Sequence, residues 1–78
     1  MSKENDIKGA YAPPVNYNDR QIRYDINEKL YYVKFTNTNT IYYWNTVEDA
    51  KAGIDWYKVH GNARASTKDM KAVKRIQV

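Results

Sequence analysis

The chain has 78 residues, 28% of them Asp, Glu, Lys or Arg, and a formal net charge of +4. A chain this short makes one domain that buries only about 60 to 65% of its unfolded surface, which excludes a large enclosed substrate pocket. It has no cysteine, so a disulfide scaffold and a thiolate metal site are excluded. No apolar run approaches the roughly 18 residues of a membrane span, and with a polar N-terminus unlike a signal peptide the expected location is cytoplasmic.

Residues 1–19 carry no sustained period, and Pro13-Pro14 forbids helix and central strand there. They are expected to form a flexible arm to about residue 10 and an extended stretch from Tyr11 to Tyr17, with Tyr11, Val15 or Tyr17 capping one end of the core. Residues 20–78 then form a single small α+β domain. Gln-Ile-Arg-Tyr-Asp-Ile at residues 21–26 alternates strictly and predicts a half-buried strand. A tight turn at Asn27-Glu28 sets Ile22 opposite Val33, Arg23 opposite Tyr32 and Tyr24 opposite Tyr31.

Residues 30–45 hold two aromatic and β-branched runs joined by Asn and Thr, the pattern of a hairpin. A loop centred on Thr38 and Asn39 pairs Phe35 with Tyr42 and Val33 with Trp44. It also places Tyr43 opposite Lys34 and Asn45 opposite Tyr32. One face of the resulting three-stranded meander then collects Ile22, Tyr24, Ile26, Tyr31, Val33, Phe35, Tyr42 and Trp44. The other collects Gln21, Arg23, Asp25, Tyr32, Lys34, Ile41, Tyr43 and Asn45.

A lone meander cannot bury its apolar face, so a helix must cover it. Asn45 or Thr46 can cap that helix, with Glu48 or Asp49 completing a capping box, and Gly61-Asn62 can end it after about His60. Val47, Ala50, Ile54 and Tyr57 share the stripe that faces the sheet. Gly53 costs roughly 1 kcal/mol relative to Ala in mid-helix, and its use there is expected to let a sheet aromatic approach closely. Glu48, Lys51, Asp55 and Lys58 read as a surface ion-pair row. A second apolar stripe of Ala52, Trp56 and Val59 needs a cover, either from the chain itself or from a partner.

The run Trp44-Asn45-Thr46-Val47-Glu48-Asp49-Ala50 resembles the strand-to-helix junction of AP2-type and integrase arm-binding domains, which set one helix behind three strands. What the resemblance implies is a sheet laid against the major groove of DNA, with basic and aromatic side chains on its outer face.

The C-terminal segment supports two readings. Ser66-x-x-Asp69 followed by Met70, Val73 and Ile76 fits a short helix, giving β-β-β-α-α. Val73, Ile76 and Val78 favour instead a strand from about Ala72 to Val78 that closes the sheet as β-β-β-α-β, the arrangement preferred here. In that strand Ala72, Lys74, Ile76 and Val78 share one face, and Val73, Arg75 and Gln77 the other.

Charge is uneven along the chain. Residues 1–60 balance eight cations against eight anions, whereas residues 61–78 set Arg64, Lys68, Lys71, Lys74 and Arg75 against Asp69 alone, which accounts for the whole +4. Such asymmetry suggests a polyanion or an acidic protein as partner. Catalytic groups are sparse: His60 is the only histidine, expected at the last carbonyls of the helix, and neither a phosphate loop nor a nucleophile beside a base is present. No enzymatic activity, metal or cofactor is expected.

The first functional expectation is therefore nucleic-acid binding. Arg23, Lys34, Arg64, Lys68, Lys71, Lys74 and Arg75 neutralise phosphates, while Tyr32 and Tyr43 stack on or contact bases. The second is a protein-binding inhibitor or adaptor of the kind phage and mobile elements encode, anchored by Trp56, Tyr32 and Tyr43. Either could act as a monomer or as a homodimer through an unpaired edge strand.

Overall fold

A computed structural model describes residues 13–36, 38–61 and 65–77. In chain order the elements are β1 (Val15–Tyr17), β2 (Arg20–Asp25), β3 (Leu30–Phe35), β4 (Thr40–Trp44), α1 (Val47–His60), α2 (Thr67–Met70) and β5 (Lys74–Gln77). The strands form one antiparallel sheet in the order β1-β2-β3-β4-β5. The expected α+β meander backed by one main helix and closed by a C-terminal strand is what forms, with β1 as an additional edge.

β1 lies in the stretch expected only to be extended. Val15 pairs with Ile22 and Tyr17 with Arg20, which leaves Asn18 and Asp19 as a two-residue loop with φ of 48° and 64°. Positive φ at both central positions is the turn that matches strand twist, and Asn and Asp tolerate it better than most residues. Pro13 and Pro14 stop short of the ladder, where their missing N–H groups cost nothing.

The β2–β3 pairing is the one expected: Arg23 faces Tyr32 and Tyr24 faces Tyr31. Its turn is longer than a tight pair. The Asp25 carboxylate accepts the N–H groups of Asn27 and Glu28 at 2.9 and 3.1 Å, and Lys29 closes the loop at φ 59°. Ile26 consequently sits in the turn, 46% exposed, and does not join the apolar face.

The β3–β4 hairpin departs from the expected register by two residues. Val33 faces Tyr42, Phe35 faces Thr40 and Tyr31 faces Trp44. The ladder ends at Phe35 and Thr40 because Thr38 turns back onto the Phe35 carbonyl through both its N–H (3.1 Å) and its hydroxyl (3.3 Å), with Asn39 at φ 53°. Two residues is the side-chain period of a strand, so every face assignment survives although each partner changes. On the outer face Tyr43 stands opposite Tyr32, not Lys34, and Ile41 opposite Lys34.

α1 starts and stops as its sequence dictates. Thr46 accepts the Asp49 N–H at 3.1 Å, and Gly61 ends the helix in the left-handed region at φ 56°. Ala50, Gly53, Ile54 and Tyr57 are buried against Ile22, Val33, Phe35, Tyr42 and Trp44, with Ala65 and Met70 completing the core. Phe35 packs edge-on to Tyr42 and lies 4.4 Å from the Tyr57 ring. Each such aromatic buries on the order of 150–250 Å².

Gly53 serves the purpose expected of it. A Cβ there would lie 2.6 Å from Trp44 Cζ2 and 2.6 Å from the Met70 carbonyl oxygen. That same oxygen accepts the Trp44 indole N–H at 2.9 Å, so α1, α2 and β4 meet at one backbone atom.

Both C-terminal readings are realised in succession. Ser66 and Asp69 form a reciprocal capping box on the single turn of α2, which Lys71 ends at φ 57°. Val73 N–H then reaches the Tyr43 carbonyl at 2.7 Å and β5 pairs with β4. No described helix is long and apolar enough to cross a membrane.

Candidate functional site

All described helix packing is on one side of the sheet, where Phe35 and Trp44 meet α1 and α2. The opposite face carries no described helix. Across it the pairing aligns Arg23, Tyr32, Tyr43 and Lys74 as one row over β2 to β5, with Lys34, Ile41 and Ile76 in the next row.

The two halves of this face differ. On β4 and β5, Tyr43 is only 7% exposed: the Tyr32 ring lies 5.8 Å from it and the Lys74 ammonium 5.1 Å. Lys74 is in turn bound to Glu28 at 2.8 Å. Burial pushes the Tyr43 phenol above its ordinary pKa, Asp25 and Glu28 adding to the effect and Lys74 opposing it. The hydrogen bond to Glu28 also raises Lys74, but by favouring its charged form. Tyr43 is thus not a free stacking platform and the Lys74 charge is already matched, two corrections to the expected contact set.

On β2 and β3 the arrangement is open. Arg23 and Lys34 are exposed, Tyr32, which faces Arg23, is half-buried, and neither cation makes an ion pair or side-chain hydrogen bond among the described residues. Together with Asp19, Arg20, Gln21 and Thr36 they line a shallow groove. Gln21 belonged to the expected outer face, but Arg20 and Thr36 were missed as groove residues. The signal for Arg20 was Asn18-Asp19, whose turn chemistry brings Arg20 to the end of the sheet.

The basic C-terminal residues do not gather into one patch. Strand alternation sends Lys74 to the open face and Arg75 to the helix side, where its guanidinium donates to the Ala65 carbonyl at 3.3 Å. Lys68 and Lys71 are exposed on and just after α2, also on the helix side. Arg64 lies outside the described residues, as do Tyr11 and the arm expected up to about residue 10.

The expected ion-pair row on α1 is replaced by a tether to the β1–β2 turn. Asp55 accepts the Tyr17 hydroxyl at 2.9 Å and the Asn18 amide at 2.8 Å, while the Lys51 ammonium lies 5.4 Å from the Tyr17 ring centre. Asp55 raises the Tyr17 pKa, first through that hydrogen bond. Trp56 is half-buried against the core and stacked on His60 with centroids 4.0 Å apart. His60 Nδ1–H donates to the Trp56 carbonyl at 2.9 Å, the helix-end role expected of it. Val59 remains 79% exposed. Among the described residues no group of three His, Asp or Glu is placed to hold a metal ion.

Comparison of the chain with protein-family models, with curated proteins and with solved structures gave no match. The functional reading rests on the chain's own residues.

Proposed function

We propose that this chain is a small, non-enzymatic nucleic-acid-binding protein whose contact surface is the β2–β3 half of the open sheet face. One observation carries the reading: Arg23, opposite Tyr32, and Lys34, the next residue of that face along β3, line one groove with the Tyr32 side chain on a face without a described helix, and neither has a carboxylate partner among the described residues. Unpaired cations beside a ring are the requirements of a surface that neutralises phosphates and stacks a base. Asp19 lines the same groove at the β1–β2 turn but pairs with neither cation, while Glu28 holds Lys74 and Asp25 caps its own turn. The site is thereby narrower than charge along the chain implied, with Lys68, Lys71 and Arg75 displaced to the helix side. A cytoplasmic setting suits such a partner. The adaptor reading keeps less support, because Tyr43 is buried and Trp56 is already engaged by His60 and the core.

The test is fluorescence anisotropy of labelled DNA and RNA titrated with wild type and the double variant Arg23→Gln/Lys34→Gln over a salt series. Each lost phosphate contact lowers the slope of log K against log salt by about 0.7 on a single strand, so the double variant should lose about 1.4. Unchanged affinity and slope in the double variant would refute the reading.

A further inference from the structure

The groove on the open face does not stop at the sheet's end. Arg20 and Asp19 line both that groove and a second cleft, on the helix side, between the β1–β2 turn and the last turn of α1, where Tyr57, Lys58 and Gly61 form the wall. Arg20 is the hinge between them. Its guanidinium carbon lies 4.4 Å from the centre of the Phe35 ring and 5.3 Å from that of Tyr57, and among the described residues it makes no ion pair or side-chain hydrogen bond. A guanidinium held against two rings is pre-organised, so engaging a phosphate with its N–H groups costs little further ordering. Lys58 is exposed on the far wall of the cleft and is likewise without an ion pair among the described residues. Lys34, Arg23, Arg20 and Lys58 therefore mark a basic track that passes from one face of the sheet, around its end, to the other.

The turn that the track rounds is held firmly, since Tyr17 and Asn18 both bond to Asp55 on α1. A path that changes faces within one small sheet selects its ligand by stiffness. Duplex DNA stays straight over a persistence length of about 150 bp and cannot follow such a path, whereas a single strand bends at every nucleotide. Resting on the nucleic-acid reading above, we infer that the ligand is a single-stranded polynucleotide, with a base on Tyr32 and its backbone carried by Arg20 into the cleft beside Lys58. Asp19, exposed and shared by both cavities, is the carboxylate that such a backbone must pass, so it limits affinity.

The experiment uses the full chain with single strands of about four and about twelve nucleotides, within the ~4–16 range of sites on small sheet domains, as oligothymidylate and as oligouridylate, and with a duplex of the longer length. Four phosphate contacts predict a slope near −2.8 for the longer strand. Lys58→Gln, at an exposed helix position that the fold does not need, should weaken the longer strand several-fold, reduce its slope by about 0.7 and leave the shorter one unaffected. Asp19→Asn, which keeps a side chain tolerant of positive φ, should strengthen the longer strand. A duplex bound as tightly as the single strand, or Lys58→Gln without effect on the longer one, overturns the inference. If Arg23→Gln/Lys34→Gln still weakens binding in that case, the open-face site stands and only the track falls. If that double variant also has no effect, both fall together. Oligothymidylate and oligouridylate arms tell DNA from RNA.

Discussion

Gly53→Ala tests the packing argument most directly, because local propensity and tertiary packing predict opposite signs. In an isolated helix the substitution stabilises by about 1 kcal/mol, since glycine carries the larger backbone entropy loss. Here the added methyl would sit 2.6 Å from Trp44 Cζ2 and 2.6 Å from the Met70 carbonyl oxygen. Neither neighbour can yield cheaply. Trp44 and Met70 are both 0% exposed, and the oxygen is backbone rather than the tip of a flexible side chain. Overpacking of this kind costs about 1–3 kcal/mol. Moving the oxygen also breaks the indole N–H bond of Trp44, leaving a buried donor unpaired at a further cost of about 1–3 kcal/mol. After subtracting the helical gain, the expected net loss is about 3 kcal/mol, a fall in Tm of roughly 12–24 °C at about 4–8 °C per kcal/mol for a domain of this size. Thermal unfolding followed by circular dichroism measures it, and urea unfolding followed by tryptophan fluorescence gives the same quantity independently. A Gly53→Ala protein as stable as wild type, or more so, would refute the close approach of α1, α2 and β4.

Three further outcomes are expected. Thr46→Ala removes the acceptor of the Asp49 N–H at the start of α1 and should cost about 1 kcal/mol by urea unfolding, with an unchanged m-value. At alkaline pH, stability should fall through the deprotonation of Tyr17, Tyr42, Tyr43 and Lys74, all raised above their ordinary values of 10.0 and 10.5. The folded state then holds these protons more tightly than the unfolded chain, so their stabilisation is complete below the ordinary values and is lost as pH rises through the folded ones. Tyr42, raised chiefly by burial, donates its hydroxyl to the Ala65 carbonyl, which Arg75 also reaches. Tyr42→Phe should cost about 1 kcal/mol at neutral pH, since that carbonyl keeps a donor, and should shrink the alkaline loss measured by urea unfolding against pH. A Tyr42→Phe protein with an undiminished alkaline loss would remove Tyr42 from the account.

Much of the fold was legible in short stretches, and the reasons are local. Alternation in residues 21–25 and 30–44 assigned the strand side chains to their faces, and a slip of two residues could not disturb that assignment; only Ile26, drawn into the turn, left the face expected for it. Thr46, Asp49 and Gly61 bounded α1 through groups that bond within one turn of each other. Ser66 and Asp69 likewise announced α2. The β1–β2 hairpin was missed because Asn18-Asp19 lacks the glycine that usually marks such a turn, and because a three-residue strand carries too little periodicity to stand out.

The sequence by itself determined which residues can share a face, where the main helix begins and ends, and that positive charge is concentrated after residue 60. Tertiary structure alone decided which strand partners meet, that Tyr43 is covered by Tyr32 and Lys74, and that Glu28, forty-six residues away in the chain, takes up the Lys74 charge. It also decided that Arg75 and Lys74 part to opposite faces and that Arg20 stacks on Phe35 beside Lys58. The difference is one of range. Alternation, capping and turn chemistry act between residues a few positions apart, whereas the availability of a charge or a ring depends on everything the fold brings against it.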